Sequence, residues 1–583
     1  MWLKKLSAVV LILGVLLSAQ FASLIRAAGP APSVNAQNPD GALAGKTAMR
    51  VGSQAPSVRT QDSDGALVGK TVQMSASLKV TAVTADKPPV LTAEQAKELE
   101  TAGSRANGPG PAVESVTTGI KGPAPGTELA LPDRAGEEAG NPQPDAPGSY
   151  TRLRASILPT SGVLGGFSPV GEPSVTQSGR FVFQTGNWYA TRSVDNGATW
   201  SYLNPFTIFG SGFCCDQVTI YEPARNRQFW LLQYSNRLVV ANSAGNDLVN
   251  WIYYAFTPQG LGFPAGATFD FNRMVYSANY IYITTTVRDS ADRWIASVIM
   301  RLPTDDMVAG ASFNYTFWSR NDVFVYTPVL GANGTRMYFG ADWYTTIARS
   351  GDWFRINWND ETSTTLYWWD RDVDNYAFYT SGANCASTNG VITNWCQRSD
   401  SRLNSPGFRW RSSYVNLNLV SFAVNTKQGG GYPFPYTRYI HFREDDLTYF
   451  GFDYLWASWS AFLFAALAPN ARGDLGGVVA WGGGSPGYNF YPGAAAVVYD
   501  RFGFSIDYWL WGSGNACLNG DGLRRFGDYL QVAPLDPARH LWIGSGYRTN
   551  SNGGACNVSG TNTAGNVVFG RSRDSASYYR WLP

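Results

Sequence analysis

Short apolar runs separated by turn residues fill the chain from about Tyr150 to Pro583. Runs such as Phe229–Tyr234, Tyr280–Thr285 and Ile295–Arg301 are rich in β-branched and aromatic residues, and Gly, Pro, Asn or Asp residues bound them. We find no long amphipathic helical pattern between the runs. The pattern therefore predicts an all-β domain over residues 150–583.

The runs group into units of about 60 residues, a generous length for four strands and their loops. Similar turns at residues 223–225, 470–472 and 537–539 read Pro-Ala-Arg, Asn-Ala-Arg and Pro-Ala-Arg, each between the first and second runs of its unit. This agreement of register favours a radial repeat over a sandwich. We predict a β-propeller with seven blades, six being the alternative, whose last strand is Tyr578–Trp581.

Residues 1–28 have the pattern of an export signal. Lys4 and Lys5 precede an uncharged stretch from Leu6 to Ile25, and small residues follow. An uncleaved membrane anchor is the alternative, because the stretch is long enough to span a bilayer. Beyond this signal we expect no membrane contact, and we predict a secreted or cell-surface protein.

Residues 29–149 are rich in Ala, Pro, Gly, Ser and Asp and poor in aromatic residues. They contain a duplication with a 24-residue period, in which Asp40–Leu43 recurs as Asp64–Leu67. Such a composition buries too little apolar surface to offset the entropy lost on ordering. We therefore predict a disordered linker over 29–149.

The charge of the chain excludes one class of partner. Its 583 residues carry a formal net charge of +2, and 15% of them are charged, so no strong field attracts nucleic acid. After residue 150 the only lysine is Lys427. Recognition by positive charge therefore depends on arginine, which binds carboxylates through a planar fork.

Six cysteines fit an oxidising compartment. We predict two loop-closing disulfides, Cys385–Cys396 and Cys517–Cys556. The adjacent Cys214 and Cys215 form a vicinal disulfide or remain thiols. With two histidines in the chain, His441 and His540, and no C-x-x-C motif, we predict no zinc site and interpret both histidines as structural residues.

One octapeptide, residues 193–200, matches the pattern S-x-D-x-G-x-T-W in full. Its aspartate can accept turn N–H groups, its glycine can take a positive φ and its tryptophan can pack beneath the turn. Two degenerate copies follow, with Trp358 and Trp581 downstream. The residues predicted to build these turns are Ser193, Asp195, Gly197, Thr199, Trp200, Ser350, Asp352, Ser572 and Asp574.

The octapeptide resembles the Asp-box, or BNR repeat, of sialidase-like β-propellers. The resemblance implies a hairpin turn between the two outer strands of a blade, with no chemistry in the box itself. In sialidases an arginine in a Phe/Tyr-Arg-Ile-Pro motif binds the substrate carboxylate. The nearest string here, residues 354–357, reads Phe-Arg-Ile-Asn and lies in the fourth unit. We therefore carry over no sialidase catalytic residue.

Two further segments carry a second resemblance. Residues 213–217 read Phe-Cys-Cys-Asp-Gln, and residues 525–529 read Arg-Phe-Gly-Asp-Tyr. They are similar to segments of a group of large secreted bacterial propeller proteins. This second resemblance implies the fold alone.

Propellers bind ligands at the mouth where their innermost strands begin. The candidate catalytic carboxylates at these positions are Glu172, Asp216, Asp270 and Asp528. The candidate ligand-binding residues near them are Arg273, Arg524, Arg525, Asn272, Asn416 and Tyr529. Carboxylates and arginines in one funnel can act as acid and base or hydrogen-bond a glycan. Alternatively they cap strand ends or hold a structural cation; we predict no other cofactor.

These features predict a monomeric propeller that binds extracellular glycans or other polymers. A glycoside hydrolase or polysaccharide lyase that uses the funnel carboxylates is the first alternative. A scaffold for protein partners is the second.

Overall fold

The computed structural model describes the residues 50–51, 65–86, 150–158, 172–331, 334–341, 353–373, 383–390, 392, 394–396, 403, 405–412, 417–471, 473–485, 489–500, 503–512, 526–535, 540–548 and 563–571. Strands dominate these residues, and the helical elements there are one turn of 3-10 helix at Gln259–Leu261 and helix α1 at Thr304–Ala309. Neither has the length and apolarity needed to cross a membrane. The all-β prediction is confirmed.

The residues described before position 160 contain six strands. They are β1 (Arg50–Val51), β2 (Gly65–Val68), β3 (Lys70–Met74), β4 (Leu78–Thr81), β5 (Thr84–Ala85) and β6 (Tyr150–Ile157).

The rest of the chain forms antiparallel meanders of four strands. The first three contain β7 (Ser174–Ser178), β8 (Phe181–Thr185), β9 (Ala190–Ser193) and β10 (Ser201–Leu203); β11 (Phe213–Glu222), β12 (Arg227–Tyr234), β13 (Leu238–Ala244) and β14 (Asn250–Phe256); and β15 (Thr268–Tyr276), β16 (Tyr280–Arg288), β17 (Trp294–Pro303) and β18 (Phe313–Arg320). The fourth to sixth contain β19 (Thr327–Leu330), β20 (Arg336–Ala341), β21 (Trp353–Asp360) and β22 (Thr365–Asp372); β23 (Gly407–Ser412), β24 (Leu417–Thr426), β25 (Tyr436–Arg443) and β26 (Tyr449–Leu455); and β27 (Ala461–Pro469), β28 (Leu475–Gly483), β29 (Phe490–Asp500) and β30 (Gly503–Gly512). The seventh contains β31 (Gln531–Pro534), β32 (Trp542–Arg548), β33 (Thr563–Arg571) and β6.

The last meander is completed by the N-terminal strand β6, which pairs with β33. The prediction of a C-terminal fourth strand is therefore wrong, and Tyr578–Trp581 lie outside the described residues. Pairing the start of the domain with its end closes a circular array and covers the outer edge of β33. Arg154 of β6 strengthens the closure, because its guanidinium donates to Gln177 of the first meander at 3.1 Å and to Asn566 of the seventh at 3.0 Å.

The first strands of consecutive meanders touch one another in a ring: β7 contacts β11, the contacts continue through β15, β19, β23 and β27, and β31 contacts β7 again. Strands β19 and β23 also pair in parallel, which joins the fourth and fifth meanders into one sheet. Each neighbouring pair of meanders shares an apolar cluster. Between the seventh and the first, Val175 and Val182 pack with Leu541 and Val568. The core thus lies between sheets, as a radial array requires.

Aromatic side chains fill these interfaces. Between the first two meanders, Trp230 lies 5.2 Å from Phe183 and 5.2 Å from Trp251, measured between ring centroids, and all three side chains are buried. Burial of each such ring contributes about 2–3 kcal/mol to folding. The aromatic-rich runs of the sequence are therefore the packing faces of the sheets.

The five N-terminal strands β1–β5, which we call the belt, add a fifth strand to successive meanders in reverse order. The strands β5, β4, β3, β2 and β1 pair with β10, β14, β18, β22 and β26, the fourth strands of the first to fifth meanders. The prediction of a disordered linker over 29–149 is therefore wrong for the belt. Composition missed it because main-chain pairing needs little apolar burial. Val68, Leu78 and Val83 stay 60–86% exposed, and residues such as Leu67 and Val72 on the other face pack against the apolar clusters.

Candidate functional site

The first strands of three meanders have register shifts near their N-terminal ends. In β11, Phe213 pairs with Tyr234 and Gln217 with Leu232, so three residues face a single one. Similar shifts lie between Asp270 and Arg273 in β15 and between Leu463 and Ala466 in β27. Bulges of this kind re-aim side chains and are frequent beside active sites.

Four of the predicted site residues converge at this end of the ring: Glu172, Asp216, Arg273 and Tyr529, which we call the mouth cluster. They come from the start of four first strands or just before them, β7, β11, β15 and β31. The charges of Glu172, Asp216 and Arg273 all act on Tyr529, and Asp216 also acts on Arg273. All four side chains are buried, with 2–8% of their surface exposed.

Burial sets the electrostatics of the cluster. It lowers the pKa of the Arg273 guanidinium to about 9, an effect that Tyr529 and Asp216 partly offset. Burial also raises the pKa of Tyr529 well above its usual value, and the charges of Asp216 and Glu172 add to this. The phenol is therefore a neutral donor at neutral pH. With two carboxylates and one guanidinium, the cluster carries a net negative charge when ionised.

The surrounding structure fixes these side chains in place. The guanidinium of Arg273 donates to the Leu403 carbonyl and lies 4.3 Å from the Phe271 ring centroid. The Tyr529 hydroxyl donates to the Gln217 carbonyl at 3.4 Å. Gln217 and Leu403 are not among the predicted site residues, since a main-chain carbonyl acceptor leaves no trace in residue type.

Gln217 anchors the C-terminal side of the β11 bulge. Its amide nitrogen donates to the carbonyls of Gly186 and Tyr189, the latter at 3.0 Å. Its amide oxygen accepts from the Trp230 indole at 2.9 Å. The residue is therefore held by both the first and the second meander. This anchoring holds the adjacent Asp216 in its place beside Arg273.

Two other predicted residues have partners that lie outside the mouth cluster. Asp270 pairs with Arg288 at 2.8 Å and accepts from the Phe271 amide at 2.9 Å. The amide of Asn272 donates to Gln233 at 2.5 Å and accepts from the Thr285 hydroxyl at 2.7 Å. We therefore leave Asp270 and Asn272 out of the candidate site.

The remaining site predictions divide into two groups. Asp528 is buried next to Tyr529 on the chain, with 8% of its surface exposed. Arg524, Arg525 and Asn416 lie outside the described residues. Among the residues that the structure does describe, no group of three His, Cys, Asp or Glu is arranged to hold a metal ion.

A cavity of about 770 Å³ lies at the opposite end of the ring. It is lined by the C-terminal ends of the first strands of the second to seventh meanders, including Glu222, Tyr276, Trp410, Pro469 and Val532. Asp216 and Glu222 are six positions apart on β11, which is about 20 Å along a strand. On the seventh meander the distance is shorter, because the cavity-lining Gln531 is two positions from Tyr529, but no residue of the mouth cluster lines the cavity.

The polar groups near this cavity pair with one another. The Arg409 Nε lies 2.5 Å from a Glu444 carboxylate oxygen. The Trp410 indole donates to the Ser421 hydroxyl at 2.9 Å, and Glu222 accepts from the amides of Ala224 and Arg225. These contacts define the walls and turns of the cavity, and they distinguish it from the charged mouth.

The octapeptide at residues 193–200 forms the predicted turn between β9 and β10. Asp195 accepts from the Thr199 amide at 2.8 Å, and the Gly197 amide donates to the Ser193 hydroxyl at 2.7 Å. Gly197 has a φ of 81°, and Trp200 packs against the apolar cluster between the seventh and first meanders. Although partial burial opposes it, hydrogen bonding from Thr199 holds the pKa of Asp195 below its usual value. The turn has a structural role.

The two degenerate copies lie outside the described residues. Ser350 and Asp352 fall in the chain between β20 and β21, the second and third strands of the fourth meander. Ser572 and Asp574 follow β33, the third strand counted from the ring axis, and also lie outside the described residues. Arg355, from the sialidase-like string, forms a buried pair with Asp370 at 2.7 Å.

The cysteines resolve one alternative that the sequence left open. Cys214 and Cys215 form a vicinal disulfide within the β11 bulge. The predicted Cys385–Cys396 disulfide is present. Cys517 and Cys556 lie outside the described residues.

The buried His441 has no features of a general base. Its Nδ1 lies 2.8 Å from the Ser421 hydroxyl, and burial, followed by the charge of Arg438, lowers its pKa to about 3. The imidazole is therefore neutral over the physiological range.

No family model and no curated protein matches the sequence. Solved structures with a similar fold include a Dos1 propeller, at 7% identity and a TM-score of 0.31 over 67% of this chain and 75% of that one. A Penicillium chrysogenum alpha-L-arabinanase bound to arabinobiose has 10% identity and a TM-score of 0.30 over 72% and 98% of the two chains. A polysaccharide lyase of family PL25, an ulvan lyase, has 8% identity and a TM-score of 0.30 over 57% and 78%. Likenesses this low carry no argument about function.

Proposed function

We propose that the chain is an exported, monomeric β-propeller of seven blades that binds extracellular glycans or related polymers at the mouth cluster. The ring of first strands, the apolar clusters between neighbouring meanders and the closure through β6 support the blade number. Residues 1–28 supply the export signal. Each four-stranded meander then corresponds to one blade.

The observation that carries the binding site is the convergence of Glu172, Asp216, Arg273 and Tyr529 from four blades. A purely structural ion pair needs two partners, whereas this cluster gathers two carboxylates, a guanidinium and a phenol around one point. Charged groups that the fold gathers and buries in one place are candidates for functional sites. The mouth is therefore the first place to look for a ligand.

The charge of the cluster indicates the kind of ligand. Its carboxylates outnumber its guanidinium, so a polymer of acidic sugars would meet net repulsion. Hydroxyl groups of neutral sugars can donate to Glu172 and Asp216 and accept from Arg273. We therefore expect neutral glycans to bind more tightly than uronate-rich or sulfated ones.

Binding of the full chain to immobilised neutral and acidic polysaccharides tests this function. We expect binding to the neutral set, and at least a tenfold loss of affinity in the Glu172→Gln/Asp216→Asn variant. Asp305→Asn is the matched control, because its carboxylate is 78% exposed and pairs with Arg225 away from the mouth. Retention of protein partners without any glycan, or equal affinities in all three proteins, would overturn the proposal.

The same cluster supports a second candidate function, glycan cleavage. Two carboxylates beside a phenol and a guanidinium supply the groups that glycoside hydrolysis or elimination uses as acid, base and charge stabiliser. Release of reducing ends or of unsaturated sugars from the bound polysaccharide tests this directly. Turnover that Tyr529→Phe and Glu172→Gln each abolish would make the protein an enzyme. Tight binding with no product would leave it a binding protein.

A further inference from the structure

The two described disulfides differ in what they enclose. Cys385 and Cys396 are 11 residues apart in the chain, so their bond closes a loop and restricts the unfolded chain. Cys214 and Cys215 are adjacent, so their bond encloses no other residue. The entropic stabilisation that a disulfide gives rises with the length of the loop it closes. Global stability therefore does not account for the vicinal pair.

The two disulfides also differ in access. Cys385 and Cys396 are buried, with 0% and 1% of their surface exposed. Cys215 is 9% exposed, and Cys214 is partly exposed. Thiol–disulfide exchange requires a thiolate to reach one of the sulfurs, so the vicinal pair is the more accessible target.

The vicinal disulfide lies in the same bulge as a residue of the mouth cluster. The β11 bulge consists of Cys214, Cys215 and Asp216, between the paired residues Phe213 and Gln217. The charge of Asp216 acts on Arg273 and Tyr529, and the Gln217 carbonyl accepts a hydrogen bond from the Tyr529 hydroxyl. The ring formed by an adjacent disulfide restricts the backbone dihedrals on both sides of one peptide bond. Opening that ring frees the backbone that carries Asp216.

We propose that Cys214–Cys215 is a reducible site whose redox state sets the arrangement of the mouth cluster. A thiolate of a small dithiol attacks one sulfur, and the protein S–S bond breaks to give a mixed disulfide and a cysteine thiolate. The second thiol of the dithiol then displaces the remaining cysteine. The protein gains two electrons and two protons as cysteine thiols, and the dithiol leaves as its own disulfide. Oxidised, the bulge holds Asp216 in the cluster; reduced, it does not.

Redox control of the bulge is independent of which ligand the mouth binds, so it can be tested without any glycan. The native full chain is titrated with dithiothreitol, and free thiols are alkylated and located by peptide mass spectrometry. We expect Cys214 and Cys215 to be labelled at a reductant concentration at least tenfold below that needed for Cys385 and Cys396. Equal resistance of the two disulfides would overturn the assignment.

Hydrogen exchange at the selective reductant concentration then tests the link to the cluster. We expect amides in 213–218 and 526–530 to exchange at least fivefold faster, and amides in β16 to be unchanged. The Cys214→Ser/Cys215→Ser variant should show the same pattern without reductant and should not respond to it. If that variant fails to fold, the reduced wild-type protein still provides the readout. Labelling of the pair without faster exchange at 526–530 would contradict a positioning role.

Discussion

The two ends of the ring are built from the same seven strands yet have opposite chemistry. At the end where the first strands begin, charged side chains from four meanders converge, and bulges re-aim them. At the end where the strands finish, the cavity of about 770 Å³ is lined by turns, aromatic rings and already paired polar groups. The presence of a cavity of this size therefore does not by itself identify a site, because the side chains with strongly shifted pKa values lie at the other end.

The largest expected effect is a difference in stability between two arginine variants, one at each end of the ring. Arg273→Met removes the cation that interacts with Asp216 and Tyr529, and leaving a buried carboxylate uncompensated costs about 3–5 kcal/mol. Arg336→Met, at the end of the ring where the first strands finish, removes a pair with Asp360 whose side chains are 36% and 33% exposed, so we expect about 1 kcal/mol. Urea unfolding at pH 7 measures both variants. Equal losses would mean that the mouth cluster has no special electrostatic role.

The stability of the protein also depends on pH through His441, a residue outside the mouth cluster and outside the lining of the cavity. His441 in the fifth meander has a folded-state pKa of about 3, below the usual 6.5, because it is buried. Its contribution to stability is present above pH 6.5 and is lost as the pH falls towards 3. At pH 4.5, two pH units below the usual pKa, the free energy of unfolding has fallen by about 3 kcal/mol through this residue.

Unfolding of His441→Gln and the wild type at pH 7 and pH 4.5 measures this loss. The variant should lose less stability between the two values. The difference between the proteins is needed because Asp453, whose pKa burial raises to about 6, contributes the opposite slope over this range. An unchanged slope in the variant would show that His441 does not govern the acid response.

A smaller effect is expected when a tyrosine at each end of the ring is replaced by phenylalanine. Tyr529→Phe removes the hydroxyl that donates to the Gln217 carbonyl and so helps to position the mouth cluster, and we expect about tenfold weaker glycan binding with a loss of about 1 kcal/mol in stability. Tyr221→Phe removes a hydroxyl that contacts Asn226 at 3.0 Å beside the cavity, and binding should stay within twofold. Calorimetric titration with the best-bound neutral glycan distinguishes them. A greater effect of Tyr221→Phe would place the ligand in the cavity.

The smallest effect is expected at the turn between β9 and β10. Asp195→Ala removes two hydrogen bonds to Thr199 and should cost about 1 kcal/mol. Because the turn is structural, glycan affinity should not change. Thermal unfolding and the same titration check both statements, and a weaker affinity at unchanged stability would give the turn a binding role.

Much of this fold follows from side-chain patterns. The runs Phe229–Tyr234 and Tyr280–Thr285 lie in β12 and β16, and the octapeptide turn forms as its residues predict. Patterns of this kind report burial, and burial dominates these strands. What sequence missed depends largely on main-chain pairing. The belt pairs at sheet edges and packs only part of its side chains against the apolar clusters, and β6 joins a meander that begins almost 400 residues later.

The candidate site was also predictable only in part from the sequence. Glu172, Asp216, Arg273 and Tyr529 were predicted because they precede or begin first strands, and the structure brings these four together. Asn272 stands in an equivalent place, but its amide bonds to Gln233 and Thr285. Position along a strand predicted which end a residue occupies. It could not predict how each bulge rotates the side chain.

Hydrogen-exchange footprinting of the wild-type chain with its best-bound neutral glycan tests the central claim most directly. Binding at the mouth should slow exchange in residues 213–218 and 526–530, and leave 468–471 and 532–534, which border the cavity, unchanged. Protection confined to the cavity segments would contradict this account and place the site at the opposite end of the ring.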